Sequence, residues 1–167
     1  AFGGAFYALV EADDLGIPLR PESFRELIET GMRIKHAVME KHAIRHPFEE
    51  DLNFLYGIIF TGRAEDPSAH SRNVCIFAEG EVDRSPTGTG VSARLALHYD
   101  RKEIRINEPV VIESIIGSRF TGRVIGETRF GPFEAVIPRV EGTAYITGEH
   151  RFVLDPGDEL RHGFILR

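Results

Sequence analysis

The chain has no tryptophan, two methionines and a single cysteine in 167 residues. One cysteine excludes an internal disulfide, so no covalent cross-link holds the fold. Cys75 stands in Asn73-Val74-Cys75-Ile76-Phe77, which alternates like a strand. The expectation there is a buried, inert thiol rather than a nucleophile. No run of basic residues occurs, and 20 Lys and Arg against 26 Asp and Glu leave a net charge of −6. Nucleic-acid binding needs a cationic footprint and is excluded on that ground. No apolar stretch is long enough to span a bilayer and no secretory leader is visible. A cytoplasmic protein with no membrane partner is the expectation. Internal repeats, low-complexity segments, a P-loop, a Ser–His–Asp arrangement and a cofactor-lysine motif are also missing.

What remains is ordinary for a globular domain: 42% apolar and 28% charged residues. A chain of this length defaults to one domain that buries most of its apolar surface. Gly4 to Val10 reads as a strand. Pro21-Glu22-Ser23 looks like a helix start. Phe24, Leu27, Ile28, Ile34 and Val38 then recur at roughly helical spacing, so the helix is predicted to run to about His42–His46, before Pro47. Strands are predicted over Leu55–Thr61 and Val74–Phe77. After a second helix, strands are predicted over Val110–Ile116, Arg119–Ile125, Phe133–Val140, Thr143–Thr147 and Phe152–Leu154, with Gly and Pro between them.

Most of the chemistry sits in Asp83-Arg84-Ser85-Pro86-Thr87-Gly88-Thr89-Gly90. A helix follows it, running to about Tyr99 or Asp100 and apolar on more than one side, as buried helices are. A Gly-rich turn entering a helix offers free backbone N–H groups, and the helix dipole favours an anion there. Asp83, just upstream, suits a cation. One site could then hold the carboxylate and the ammonium of an amino acid. The bland alternatives are a tight turn for the glycines, a surface acid or Arg84 partner for Asp83, and a helix N-cap for Thr87.

The same run resembles Asp-Arg-Ser-Pro-Cys-Gly-Thr-Gly, the second catalytic motif of the proline racemase and hydroxyproline epimerase family. Gly3-Gly4-Ala5-Phe6-Tyr7-Ala8, Asn73-Val74-Cys75-Ile76-Phe77, Phe120-Thr121-Gly122 and Gly163-Phe164 also fit that family's second half. The resemblance covers nearly the whole chain. Its Thr87 form looks like the trans-3-hydroxy-L-proline dehydratase branch. The family's first motif, Met-Cys-Gly-His-Gly, is absent here, and the chain starts at Ala1 inside an apolar run. Residues 1–167 are therefore expected to be the second, C-terminal lobe of a two-lobed enzyme, with the N-terminal lobe as partner and a homodimer left open as its assembly.

The resemblance implies an α+β, diaminopimelate-epimerase-like lobe: a curved, mostly antiparallel sheet wrapped around a central buried helix. The strand pattern agrees with it. The site would lie between two lobes, at the helix N-termini. The implied ligand is an imino acid, hydroxyproline or proline, and no cofactor is involved. Asp83 would accept a hydrogen bond from the ring ammonium. The backbone N–H groups of Gly88, Thr89 and Gly90 would bind the carboxylate and stabilise the carbanion beside it.

Thr87 would decide the reaction. The racemases use two thiols on opposite faces of the α-carbon, and a hydroxyl is too weak an acid to replace one. Abstraction from one side, by the Cys of the other lobe, is still feasible, and the carbanion can expel a 3-hydroxyl. Thr87 would then hydrogen-bond the departing oxygen or shape the pocket. The expected product is Δ1-pyrroline-2-carboxylate, and this chain alone is expected to be inert. A racemase or epimerase, and a non-catalytic amino-acid-binding lobe, are the competing readings. A metal reading of His42 and His46, four apart on a helix with Glu49 and Glu50 beyond, is set aside for exposed histidines near a helix end.

Overall fold

The computed structural model describes residues 1–164. Strand β1 spans Phe6–Glu11 and helix α1 spans Phe24–Lys41. Strands β2 (Leu55–Gly62), β3 (Ser71–Phe77) and β4 (Glu81–Val82) follow, then helix α2 (Gly88–Asp100). Strands β5 (Val110–Glu113), β6 (Arg119–Phe130) and β7 (Phe133–Glu141) complete the fold. One sheet runs in the order β1-β2-β3-β5-β6-β7, with β4 on β3. The β1–β2 and β3–β5 pairs are parallel; the other four are antiparallel. Each parallel pair needs a long crossover, and each crossover carries a helix: α1 between β1 and β2, α2 between β3 and β5.

The period-2 alternation of the strands sorts side chains to two faces. Ile58, Phe60, Val74 and Ile76 pack with Leu27 and Ile28 of α1. Tyr7, Ile59 and Cys75 pack with Ala93 of α2 on the other face. Val91 and Leu95 of α2 join Val110, Ile112 and Val124 from β5 and β6. Helix α2 touches both β1 and β7, the two end strands of the sheet. A sheet whose two ends meet one helix must curve around it, so the expected α+β lobe, mostly antiparallel about a buried helix, is the observed one. Among the described residues no helix is long and apolar enough to cross a membrane.

Strand β5 stops at Glu113, short of the predicted Ile116, β6 runs past Ile125 to Phe130, and two larger expectations also need correction. Helix α1 ends at Lys41, not at His42–His46; His42 is extended (φ −130°, ψ 122°). Tertiary contacts hold the next residues off the helix. The His46 N–H donates to Asn53 Oδ1, and its ring packs among Phe2, Phe6, Phe48 and Phe130. His42 and His46 therefore share no helical face, and His46 Nδ1 accepts the amides of Phe48 and Glu49. The second correction concerns Thr143–Thr147 and Phe152–Leu154, which form no strands. Both lie beyond β7, the end strand, and Ile146 is 95% and Phe152 90% exposed. Apolar alternation makes a segment ready to pair, but a strand also needs a neighbour, and no other segment of the described chain lies alongside to supply one.

Candidate functional site

The turn before α2 is held from several sides at once. The Asp83 N–H donates to the Cys75 carbonyl, which anchors the run to β3. Asp83 Oδ1 accepts the Ser85 N–H (2.8 Å), an Asx turn, and Ser85 Oγ accepts the Thr87 N–H (3.1 Å). Asn73 of β3 donates to the Pro86 carbonyl (3.1 Å). The Thr87 carbonyl accepts the first helical bond, from Val91 (2.8 Å). These restraints keep Thr87 at φ +67°, ψ 103°. That region is unusual for a β-branched residue and costs about 1–3 kcal/mol.

Thr87 occupies the N-cap position without capping. Its side chain makes no bond to the helix amides; its hydroxyl donates to Asp83 Oδ2 at 2.8 Å. Among the described residues nothing accepts from the N–H groups of Gly88, Thr89 or Gly90. The first turn of α2 also holds no acid, so the positive end of the helix stays unneutralised within it. Asp83, Thr87 and three free amides thus converge, as the sequence order suggests. Asp83 is half-buried, and its carboxylate serves the turn rather than Arg84. The arrangement can take an anion on the amides and a cation on the carboxylate.

The absent side chain of Gly90 serves the packing of the turn. A Cβ there would lie 2.5 Å from Ile59 Cδ1 and 3.3 Å from Thr87 Cβ. The missing side chain makes room for the core and for Thr87. A Cβ on Gly88 would meet only Phe120, at 4.0 Å. Gly3 has the strictest need: a Cβ would fall 2.2 Å from the Thr89 carbonyl oxygen. The Gly3-Gly4 pair is what lets the chain entering β1 run against the start of α2.

Several residues that frame the site were given no role in the sequence. The Tyr7 and Thr89 hydroxyls are 2.7 Å apart, which fixes the Thr89 side chain. Burial, the main influence, raises the Tyr7 phenol well above its ordinary range, so it stays neutral. Arg94, buried on α2, donates to Ser71 Oγ and Asn73 Oδ1, both at 2.8 Å. Its guanidinium is drawn down to about 10 by burial and remains charged at neutral pH. Through Asn73 it stiffens the Pro86 carbonyl. Tyr7 and Asn73 both lie in quoted segments, but only the register of β1 and β3 against α2 turns them toward the motif.

Cys75 is fully buried under Thr87. Burial, the dominant influence, pushes its thiol up to about 12, so it carries no thiolate near neutrality. An aqueous disulfide reagent should leave Cys75 unlabelled in the native protein and label it after denaturation. Fast native labelling, read by peptide mass, would restore Cys75 as a candidate nucleophile.

Two clefts border α2 without including a residue of this turn. One lies between Tyr99–Ile106 and the β6–β7 hairpin; the other is lined by Phe2, Phe6, Phe130 and Phe133. At the start of α2, Thr89 is exposed and Gly88 half-buried, while Thr87 and Gly90 are buried.

Known proteins resemble the chain in sequence and in fold. A trans-3-hydroxy-L-proline dehydratase from Colwellia psychrerythraea is 49% identical over 167 residues, all of this chain and 47% of that protein. A dehydratase of the same name from Bacillus thuringiensis is 43% identical, over 99% of this chain and 50% of its own. A proline racemase from Clostridioides difficile is 40% identical, over 100% and 50%. The chain spans about half the length of these curated relatives. The crystal structure of a hydroxyproline epimerase from Agrobacterium vitis, with bound trans-4-hydroxy-L-proline, superposes with a TM-score of 0.87 at 36% identity. It covers 99% of this chain and 47% of that one. With the proline racemase family model matching residues 1–165, and this fold and turn beside it, the chain belongs to the proline racemase family.

Proposed function

We propose that this chain is the C-terminal lobe of a two-lobed, cofactor-independent trans-3-hydroxy-L-proline dehydratase. The start of α2, where Thr89 is exposed and Gly88 half-buried, is then one wall of a site that the N-terminal lobe closes. The carboxylate of the substrate binds the amides of Gly88, Thr89 and Gly90, and its ring ammonium binds Asp83. Negative charge that develops at the α-carbon spreads into the carboxylate, where the amides and the helix dipole stabilise it. A cysteine thiolate on the other lobe removes the α-hydrogen.

The observation that carries the choice of reaction is Thr87, which stands where the racemases place a thiol. Its hydroxyl cannot act as the second base at neutral pH. It already donates to the Asp83 carboxylate, whose negative charge beside it disfavours the alkoxide that a base there would have to be. Racemisation needs a base on each face; elimination needs a base on one. Relatives named dehydratase at 49% and 43% identity support the reading. Identity alone decides little, because a named proline racemase stands at 40%.

The test uses the full-length protein. Trans-3-hydroxy-L-proline should yield Δ1-pyrroline-2-carboxylate, while trans-4-hydroxy-L-proline should show no inversion by polarimetry. The isolated 167-residue chain, assayed alongside, should give neither. Inversion without pyrroline would replace the dehydratase with an epimerase. Thr87→Cys should install the missing base: exchange of the α-hydrogen into the inverted isomer of proline or hydroxyproline should appear, and dehydration should fall. A folded Thr87→Cys protein with no such exchange would remove Thr87 from the second-base position.

A further inference from the structure

We propose that His98, near the far end of α2, is a positioning residue for the amides of Gly88, Thr89 and Gly90. This rests on the reading that those amides hold the substrate carboxylate. His98 lies about 15 Å from Gly88 along the helix axis, at a rise of about 1.5 Å per residue. A line of hydrogen bonds spans that gap. The Arg94 guanidinium can only donate, so His98 Nε2, 3.1 Å from Arg94 Nη2, accepts. The imidazole hydrogen then sits on Nδ1, which donates to Glu103 Oε2. Arg94 Nη1 donates to Asn73 Oδ1 at 2.8 Å. With its oxygen so engaged, Asn73 turns Nδ2 to the Pro86 carbonyl. The Thr87 N–H, on the other side of the same peptide, is held by Ser85 Oγ. Both polar groups of the Pro86–Thr87 peptide are therefore bonded. Its fixed plane sets the unusual Thr87 backbone and the direction in which α2 begins.

The line transmits because its middle member is a buried charge. Arg94 is only 5% exposed. Its hydrogen-bond partners among the described residues are all neutral acceptors: Ser71 Oγ, Asn73 Oδ1 and His98 Nε2. A buried cationic donor that loses one acceptor has little water to fall back on, so it moves to find another. Glu103 attracts Arg94 electrostatically and already lies against His98, which makes it the direction of that movement. A guanidinium that swings toward Glu103 takes Nη1 off Asn73. The Asn73 amide is then free to turn its oxygen toward the Pro86 carbonyl, where two oxygens repel. The peptide before Thr87 loses its brace, and the three amides lose their aim.

The experiment compares wild type, His98→Phe and His98→Gln in the full-length protein. Phenylalanine keeps a flat ring against His70, whose ring centre lies 5.2 Å from that of His98, and loses the acceptor. Glutamine loses the ring and keeps an oxygen that can accept from Arg94. Two quantities are read: kcat/KM on trans-3-hydroxy-L-proline, and Kd for L-proline by calorimetry, a ligand with no hydroxyl to lose. His98→Phe should worsen both by about tenfold or more, the scale of one lost hydrogen bond to a charged group. His98→Gln should bring both back to within about threefold of wild type, since the acceptor is restored. His98→Phe added to Asn73→Ala should cost less than about twofold more than Asn73→Ala alone, because the line is already cut. Wild-type Kd and kcat/KM in a His98→Phe protein folded by circular dichroism would overturn the proposal. So would His98→Gln failing as badly as His98→Phe, or a fully additive loss in the double variant. If His98→Phe does not fold, His98→Asn, polar but too short to reach Arg94, is read in its place. Wild type that binds L-proline but forms no pyrroline would overturn the dehydratase reading alone, and Kd would still decide the role of His98. Wild type that does neither would overturn both.

Discussion

Asp83→Asn in the full-length protein is expected to lower kcat/KM by roughly tens- to several-hundred-fold. This follows from removing the charge of a charge-assisted pair, which costs about 2–4 kcal/mol. The lobe should remain folded, for a reason visible in the turn. An asparagine oxygen can still accept the Ser85 N–H, now given to Asp83 Oδ1. Its amide N–H can donate to Thr87 Oγ1, with the direction of that bond reversed. The substitution therefore removes charge while it keeps geometry. Circular dichroism should match wild type while the kinetics fall. Near-wild-type kinetics would leave Asp83 as a brace for the turn and move the cation site elsewhere.

The part of this site that was legible in the sequence is the part whose meaning is local. An acid, a turn, glycines and an apolar helix follow one another within a few residues, and helix N-terminus physics applies wherever that order occurs. The direction of the Thr87 hydroxyl is not local. It depends on Ser85 Oγ and Asn73 holding the backbone in place, and Asn73 is fixed by the pairing of β3 and by Arg94. Gly90 shows the same limit. The sequence shows a glycine in a turn among anion-binding amides, whereas the atom its missing side chain avoids is Ile59 Cδ1, from a strand 31 positions earlier.

The strands show where periodicity stops informing. β2 and β3 are buried on both faces, yet they read as strands from short apolar runs. β6 runs to Phe130, past the predicted Ile125, because β7 folds back along it through a register shift between Val124 and Gly126. Past Glu141 the alternation continues and the structure does not. The difference is the partner, which single-sequence patterning cannot contain.

Glu113→Ala is expected to lower stability by about 3 kcal/mol, the low end for a broken buried ion pair. Arg72 Nε and Nη2 both donate to Glu113 Oε2, at 3.1 and 2.9 Å. The two side chains are only 3% and 5% exposed. Truncating the acid leaves a buried cation with weaker company: the Leu19 carbonyl and Glu65, which is 74% exposed. Those remaining partners are why the loss falls at the low end. The position magnifies it, because Arg72 and Glu113 face each other where β3 meets β5, a junction of only two paired residues per strand. That junction joins β1, β2 and β3 to β5, β6 and β7. Glu65→Ala, on the exposed side of the same arginine, should leave the urea midpoint nearly unchanged, since screened pairs contribute little. Urea unfolding of the full-length variants, followed by circular dichroism, separates the two. Equal midpoints for Glu113→Ala and Glu65→Ala would mean that water already reaches Arg72, and that the β3–β5 junction is held by its apolar neighbours Val110 and Ile112 instead.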